Sequence, residues 1–300
     1  MKVILYTFSG TGNTLKVAAL IKKYMNADVT VYRVSAKSVN APDASGFDLI
    51  GLGYPIHAFN APEPILKFAE SLPEVAYRRA FIFKTSGEGL HLNDCSSQKL
   101  IQIVRKKGYD VTLERHVVMP YNMIYRHSEA MAKQMWIYAK AYVEYICKEL
   151  EGCKRENVKL PFYKTWYAPL LRVIEQKFAH IHGPLFKVNA NKCLNCGKCV
   201  KTCPQNNITV ENGNFKFGHN CVLCMGCSFG CPADAINVGI FKFWKVNGSY
   251  RLEELAHDNN VQFPLVPNYA RGIYRLYKKY YREVDEVLKN AGIDVNAYKV

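Results

Sequence analysis

Acidic residues are in short supply in this chain. Across 300 residues, 25 Asp and Glu stand against 40 Lys and Arg, a formal charge of +15. Long hydrophobic runs are missing as well. No apolar stretch reaches the roughly 18 residues of a membrane span, so no transmembrane segment is expected. A cleaved leader is not expected either: only Lys2 precedes an apolar run that ends at Phe8 and turns into Ser9-Gly10-Thr11-Gly12. That pattern reads as a strand and a loop, and the expected compartment is the cytoplasm. The positive excess raises nucleic acid as a partner, but no nucleic-acid-binding motif accompanies it, and none is expected to bind. The excess is uneven, with eight Lys/Arg against three Asp/Glu over residues 151–192. A basic surface of this kind steers acidic proteins or anionic substrates. Neither G-x-G-x-x-G nor G-x4-G-K-[ST] occurs, which argues against a nicotinamide-binding domain and an NTPase loop.

Cysteine is the opposite case. Eight of the eleven cysteines fall in two copies of one spacing. The first is Cys193-Leu-Asn-Cys196-Gly-Lys-Cys199-Val-Lys-Thr-Cys203-Pro204, and the second is Cys221-Val-Leu-Cys224-Met-Gly-Cys227-Ser-Phe-Gly-Cys231-Pro232. Each reads C-x2-C-x2-C-x3-C-P and resembles the run that holds 4Fe–4S clusters in bacterial ferredoxins. Zinc also takes four thiolates, but a zinc ribbon uses two C-x2-C pairs and needs neither the middle cysteine nor the trailing Cys-Pro. A disulfide framework does not suit a chain without secretory features. In two-cluster ferredoxins the fourth cysteine of each run ligates the other cluster. The resemblance therefore implies crossed ligand sets: Cys193, Cys196, Cys199 and Cys231 for one cluster; Cys221, Cys224, Cys227 and Cys203 for the other. Cys95, Cys147 and Cys153 have no motif spacing and read as small buried apolar residues.

The N-terminal half alternates strands and helices. Strands are expected at 2–8, 28–35, 47–53, 80–85 and 111–119, with helices at 15–25, 64–72, 95–107 and 128–150. This predicts an α/β doubly wound parallel five-stranded sheet. Between the first strand and helix lies Ser9-Gly10-Thr11-Gly12-Asn13-Thr14. Two glycines let the backbone curl with its N–H groups inward, and three hydroxyls add donors without a lysine, which suits a terminal phosphate. This segment matches the T/S-x-T-G-x-T loop of flavodoxins, so the half resembles a flavodoxin and FMN is the implied cofactor. Ligands of such sheets bind beyond the carboxyl ends of the strands. The resemblance places the isoalloxazine ring between the loops at 54–62 and 86–94. Implied contacts are Tyr54, Pro55, Ile56, His57, Ser86, Gly87, Glu88 and Gly89, with Tyr54 or Phe59 as stacking partner. The tryptophan common in the second loop of short-chain flavodoxins is missing. His57 is the candidate proton donor, with His91 in the other loop.

The joined pattern is similar to the flavodoxin–ferredoxin fusion proteins of anaerobic bacteria and archaea. It implies a flavodoxin-like FMN domain at 1–150, a linker at 151–187 and a small α+β two-cluster ferredoxin domain at 188–240. A helical extension would follow at 241–300. The linker begins irregularly at 160–169. Leu170, Leu171, Ile174, Phe178 and Ile181 then share one helical face, expected either to pack between the domains or to touch a membrane surface. Asn212-Gly213 between apolar alternations predicts a hairpin at 208–217. Two clusters and a flavin phosphate, at about −2 each, would bring the charge near about +9.

Three functions follow in order of support. The first is an electron-transfer protein that couples single-electron clusters to a flavin taking one or two electrons, with a redox protein as donor or acceptor. The second is a flavin-dependent reductase of a small organic substrate, fed by the clusters. The third is a non-catalytic scaffold or redox sensor.

Overall fold

The computed structural model describes residues 1–36, 41–156, 167–243, 245–246, 250–266 and 268–299. Most of the expected irregular segment, up to residue 166, lies outside these.

Five strands form one parallel sheet: β1 (Lys2–Thr7), β2 (Asp28–Arg33), β3 (Leu49–Pro55), β4 (Arg78–Ser86) and β5 (Tyr109–Val118). Their order is β2-β1-β3-β4-β5, all neighbours parallel. This is the flavodoxin-like doubly wound order, with its switch point between β1 and β3.

Helices α1 (Asn13–Tyr24), α2 (Glu63–Ser71), α3 (Gln98–Lys106) and α4 (Glu129–Glu151) cover the two faces. Side-chain alternation divides the core. In β1, Val3 and Leu5 join α1 and α4, whereas Ile4 and Tyr6 join α2 and α3. In β3 the residues facing α1 and α4 are Leu49 and then Gly51 and Gly53. A Cβ on Gly53 would sit 2.1 Å from the Phe83 ring, and one on Gly51 would sit 2.7 Å from Phe81. The glycines let two phenylalanines of β4 lie across their neighbouring strand. Helix α4 is capped by Ser128, whose Oγ accepts from the Met131 N–H at 3.2 Å.

Helix α5 (Tyr167–His182) leads into the cysteine region. That region holds β6 (Lys187–Val188), α6 (Lys198–Thr202), the hairpin β7 (Ile208–Glu211) and β8 (Asn214–Phe217), α7 (Gly226–Gly230) and β9 (Ile236–Asn237). The hairpin turns at Asn212 and Gly213, both at positive φ (50° and 78°), as a tight primed turn requires.

The C-terminal residues hold α8 (Leu252–His257) and α9 (Lys278–Asn290). Both helices pack on the sheet domain, whereas Phe241 and Lys245 ahead of them touch the cysteine region. Tyr277, Tyr280, Tyr281, Val284 and Leu288 close a third core against Met131, Met135 and Tyr138 of α4. Gln134, buried in α4, pins this tail by accepting from the N–H groups of Leu265 and Val266 and donating to the Val266 carbonyl. Cys95 and Cys147 are buried as expected, but Cys153 is exposed just past the end of α4.

Candidate functional site

The two cysteine runs fold into matching loops around two cavities. One is lined by Cys193, Cys196, Cys199 and Cys231, the other by Cys203, Cys221, Cys224 and Cys227. The 28-residue offset of the sequence recurs in the backbone. Asn195 and Leu223, Gly197 and Met225, and Asn206 and Asp234 are three pairs at positive φ. It recurs again in the donors. The N–H groups of Asn195, Leu223, Asn207 and Ala235 point at the sulfurs of Cys193, Cys221, Cys203 and Cys231, at 3.4, 3.4, 3.3 and 3.3 Å. Backbone donors aimed at sulfur stabilise anionic thiolates and tune a cluster held by them. The thiols surround a space rather than meet at a point, and among the described residues no three such groups converge on a single metal ion. The donor set fits a cubane better than zinc.

Burial separates the two rings. Cys196 is exposed, whereas burial pushes the thiol of Cys221 up to about 11 and that of Cys224 up to about 12. The Arg33 guanidinium opposes the rise at Cys224 and donates to the Ser9 carbonyl at 3.2 Å.

The second ring shares a wall with a larger cleft of about 270 Å³ at the carboxyl end of the sheet. Ser9, Gly10, Thr11, Asn13 and Thr14 form its floor, and Pro55, Ile56, His57, Ser86 and Gly87 form its sides. Gly12 stands at φ 106°, and its N–H donates to Ser9 Oγ at 3.2 Å. Thr14 and Thr85 join hydroxyls at 2.8 Å beneath the loop. The opposite wall is Leu223, Cys224 and Met225. A Cβ on Gly10 would lie 2.2 Å from the Cys224 carbonyl oxygen, so only glycine admits this approach.

Three expected contacts are corrected. Tyr54 is fully buried on the α2 and α3 side, where its hydroxyl meets Ser97 Oγ at 2.7 Å and Ser96 Oγ at 3.3 Å. Its parity with Ile50 and Leu52 sends it to that face and away from the cleft. Glu88 turns back to its own loop, accepting from the N–H groups of Leu90 and Asn93 and from Asn93 Nδ2. Gly89 packs against Tyr277 and Tyr280 of the tail. Phe59, at φ 65°, and His91, which meets Glu283 at 2.9 Å, are not among the cleft residues.

The sequence reading missed one wall entirely, the loop 119–124 after β5. Tyr121 covers Gly87, where an added Cβ would lie 2.5 Å from its ring. Asn122 Nδ2 donates to Thr11 Oγ1 at 2.5 Å, and Asn13 Nδ2 donates to the Pro120 carbonyl at 2.9 Å. Ile124 sits at the exposed mouth at φ 83°, an outlier for a β-branched residue. The tail braces this wall from behind. Tyr250 and Tyr274 accept from the N–H groups of His127 and Ser128, each at 2.8 Å, and the Tyr277 hydroxyl donates to the Gly87 carbonyl. His127 stacks on Tyr121 and meets Tyr277 at 3.1 Å, and burial lowers its pKa to about 4. The rule that ligands sit beyond strand ends pointed at the loop after β5 as well. The tyrosines carried no such signal.

A family profile described as a 4Fe–4S binding domain matches residues 185–208, which covers the first run and stops before the second. An uncharacterised ferredoxin of Methanocaldococcus jannaschii is 27% identical over 84 residues, 26% of this chain. The match spans 56% of that relative's length. Among solved structures, a flavodoxin of Streptococcus pneumoniae is 14% identical, with 51% of this chain and 99% of that one aligned at a TM-score of 0.37. A flavone reductase is 13% identical, with 97% of this chain and 90% of that one aligned at a TM-score of 0.35. These scores are low, and the fold assignment rests on the strand order of the sheet itself. The chain joins a sheet domain of flavodoxin-like strand order to a region that matches a 4Fe–4S binding domain.

Proposed function

We propose that the chain relays electrons between two 4Fe–4S clusters and FMN. Cys193, Cys196, Cys199 and Cys231 would hold the outer cluster; Cys203, Cys221, Cys224 and Cys227 would hold the inner one. The loop Ser9–Thr14 would bind the FMN phosphate, and the walls at 55–57, 86–87 and 119–124 would frame its ring. Bound clusters supply single-electron carriage, and bound FMN supplies one- or two-electron chemistry.

One observation carries the reading. Cys224, a member of the inner thiol ring, lines the same cleft as the phosphate-type loop. The cleft floor fits the cofactor by its own geometry: curled backbone, hydroxyl donors and no competing lysine. Gly10 keeps the loop against Cys224. Leu223 and Met225 form the shared wall, with Met225 buried in it. Exposed Cys196 marks the outer ring as the side an external redox protein reaches, and Lys192, Lys198 and Lys201 around it suit an acidic one.

Anaerobic reconstitution tests the proposal. Expected are about eight irons per chain and one FMN. Rapid mixing with a one-electron donor should bleach the cluster absorbance before the flavin. Gly10→Ala should keep the iron content and slow the second phase. Flavin reduction at an undiminished rate in a variant stripped of its clusters would overturn the relay.

A second reading, a flavin-dependent reductase of a small organic substrate, rests on His57 lining the cleft beside the exposed mouth at Ile124. Turnover of a small acceptor that His57→Gln abolishes, with transfer to protein acceptors intact, would favour it.

A further inference from the structure

Helix α5 divides sharply between two faces. Its inner face packs on the second cysteine run. Gln176, Ala179 and His180 lie against Cys221 and Val222, and at Gly183 an added Cβ would stand 2.2 Å from the Cys221 Cβ. Among the described residues, its outer face is largely uncovered. Leu170, Ile174, Phe178 and Ile181, spaced as one helical stripe, are 58%, 53%, 36% and 63% exposed. The turn at Gly239–Phe243 extends this stripe, since Phe241 meets the Phe178 ring edge-on at 5.6 Å. Beside it, Ile240 is 55% exposed and Phe243 is 89% exposed. Helix α5 thus lies between Ala61–Glu63 of the sheet domain and the second cysteine run, but it does so through Gln176, Ala179 and His180 and not through this stripe. An apolar surface of this continuity on a folded protein marks an interaction site.

Charge decides what it meets. Residues 167–192 carry four Lys/Arg and one acidic residue, and the 239–243 turn adds Lys242, whereas Lys245 beyond it is paired with Asp234. Lys187 and Lys242 are exposed. A second copy of the chain, docked by a twofold axis, would press two cationic rims together. An exposed apolar stripe flanked by cations, with Phe243 almost fully exposed beside it, has the makeup of a helix lying in an anionic lipid interface. No described helix is long and apolar enough to cross a membrane. We infer that α5 and the 239–243 turn dock the protein on the surface of an anionic lipid bilayer. The inner thiol ring then sits about one helix diameter, ~10 Å, from the headgroups.

The test is flotation of the full-length, cofactor-loaded protein with vesicles of phosphatidylcholine, alone or doped with phosphatidylglycerol. Binding is expected only to the doped vesicles, and it should weaken with salt. The pair Ile174→Glu and Phe243→Glu, both at exposed positions, should weaken binding at least about tenfold while the visible spectrum stays unchanged. If that pair fails to fold, Lys242→Glu alone should still lower binding and its salt dependence. Equal binding to both vesicle types, or binding indifferent to these variants, would overturn the inference. So would failure to float together with a sedimenting dimer, or a complex with an acidic protein, that Phe243→Glu dissolves.

Discussion

The two cysteine runs share a spacing, a backbone path and a set of N–H donors, yet they face different surroundings. At the first, the residues in left-handed backbone are Asn195 and Gly197, which adopt it at low cost. At the second, the matching residues are Leu223 and Met225, which do not. Left-handed backbone costs roughly 1–2 kcal/mol for an ordinary residue. Burying a side chain as large as methionine returns about 1.5–3 kcal/mol, so packing wins, narrowly. The first run is turned outward and uses residues that bend easily. Its counterpart faces the cleft, and bulky residues there seal the wall between thiols and loop. Symmetry of the backbone was kept, and the side chains broke it where the sheet domain docks.

Removing one ligand from each ring probes this difference most strongly. Cys224→Ser is expected to abolish flavin reduction by an external donor, whereas Cys196→Ser should slow it and leave flavin binding intact. Stopped-flow absorbance reads both. Equal effects would mean that the rings are interchangeable.

Acid should act next, and on the cleft side first. Burial holds His127 down to about 4 and His116 down to about 3, so both are neutral in the fold. An unfolded histidine titrates near 6.5, so below that pH the unfolded state takes up protons that the folded state refuses. The resulting destabilisation is absent above about pH 6.5 and grows as pH falls towards 4, reaching about 3 kcal/mol for His127. Fluorescence of released FMN is expected to rise in that window before the cluster absorbance falls. His127→Gln should shift the release to lower pH.

Backbone strain offers a smaller handle. Nothing lies within 4 Å of a Cβ on Gly197, so Gly197→Ala should cost only the left-handed penalty, about 1–2 kcal/mol. Met225→Gly removes the same penalty but loses a buried side chain, for a net loss of about 1 kcal/mol. Thermal unfolding of the loaded protein compares the two. A stabilised Met225→Gly would show that the seal is not what keeps methionine there.

Arg33 should give the smallest effect. Its charge stands near Cys224 and not near the first run, but the side chain is exposed and screened. Arg33→Gln is expected to lower the potential of the inner cluster alone, on the order of ten millivolts. Redox titration monitored by electron paramagnetic resonance separates the two.

Legibility followed locality. Strand positions, the hairpin at Asn212-Gly213 and the phosphate-type loop are written in short stretches, because turns, alternation and glycine spacing act between near neighbours. Tyr54 shows the limit of that reading. Counted as a loop residue it pointed to the cleft, whereas counted in step with Ile50 and Leu52 it belonged to the core. Gly89 and Glu88 were misplaced for another reason: the residues that claim them, Tyr277 and Asn93, become neighbours only once the loop and tail close.

The sequence by itself determined that eight thiols come in two equivalent runs and that a hydroxyl-rich loop follows the first strand. Spacing alone does that, since ligands a few residues apart have few ways to point. Only the tertiary structure decided which run faces the cleft, that the wall opposite the loop is Leu223–Met225, and that the tail braces the far side. Those relations join residues one hundred or more positions apart. They arise from packing between surfaces, which no local pattern in the chain records.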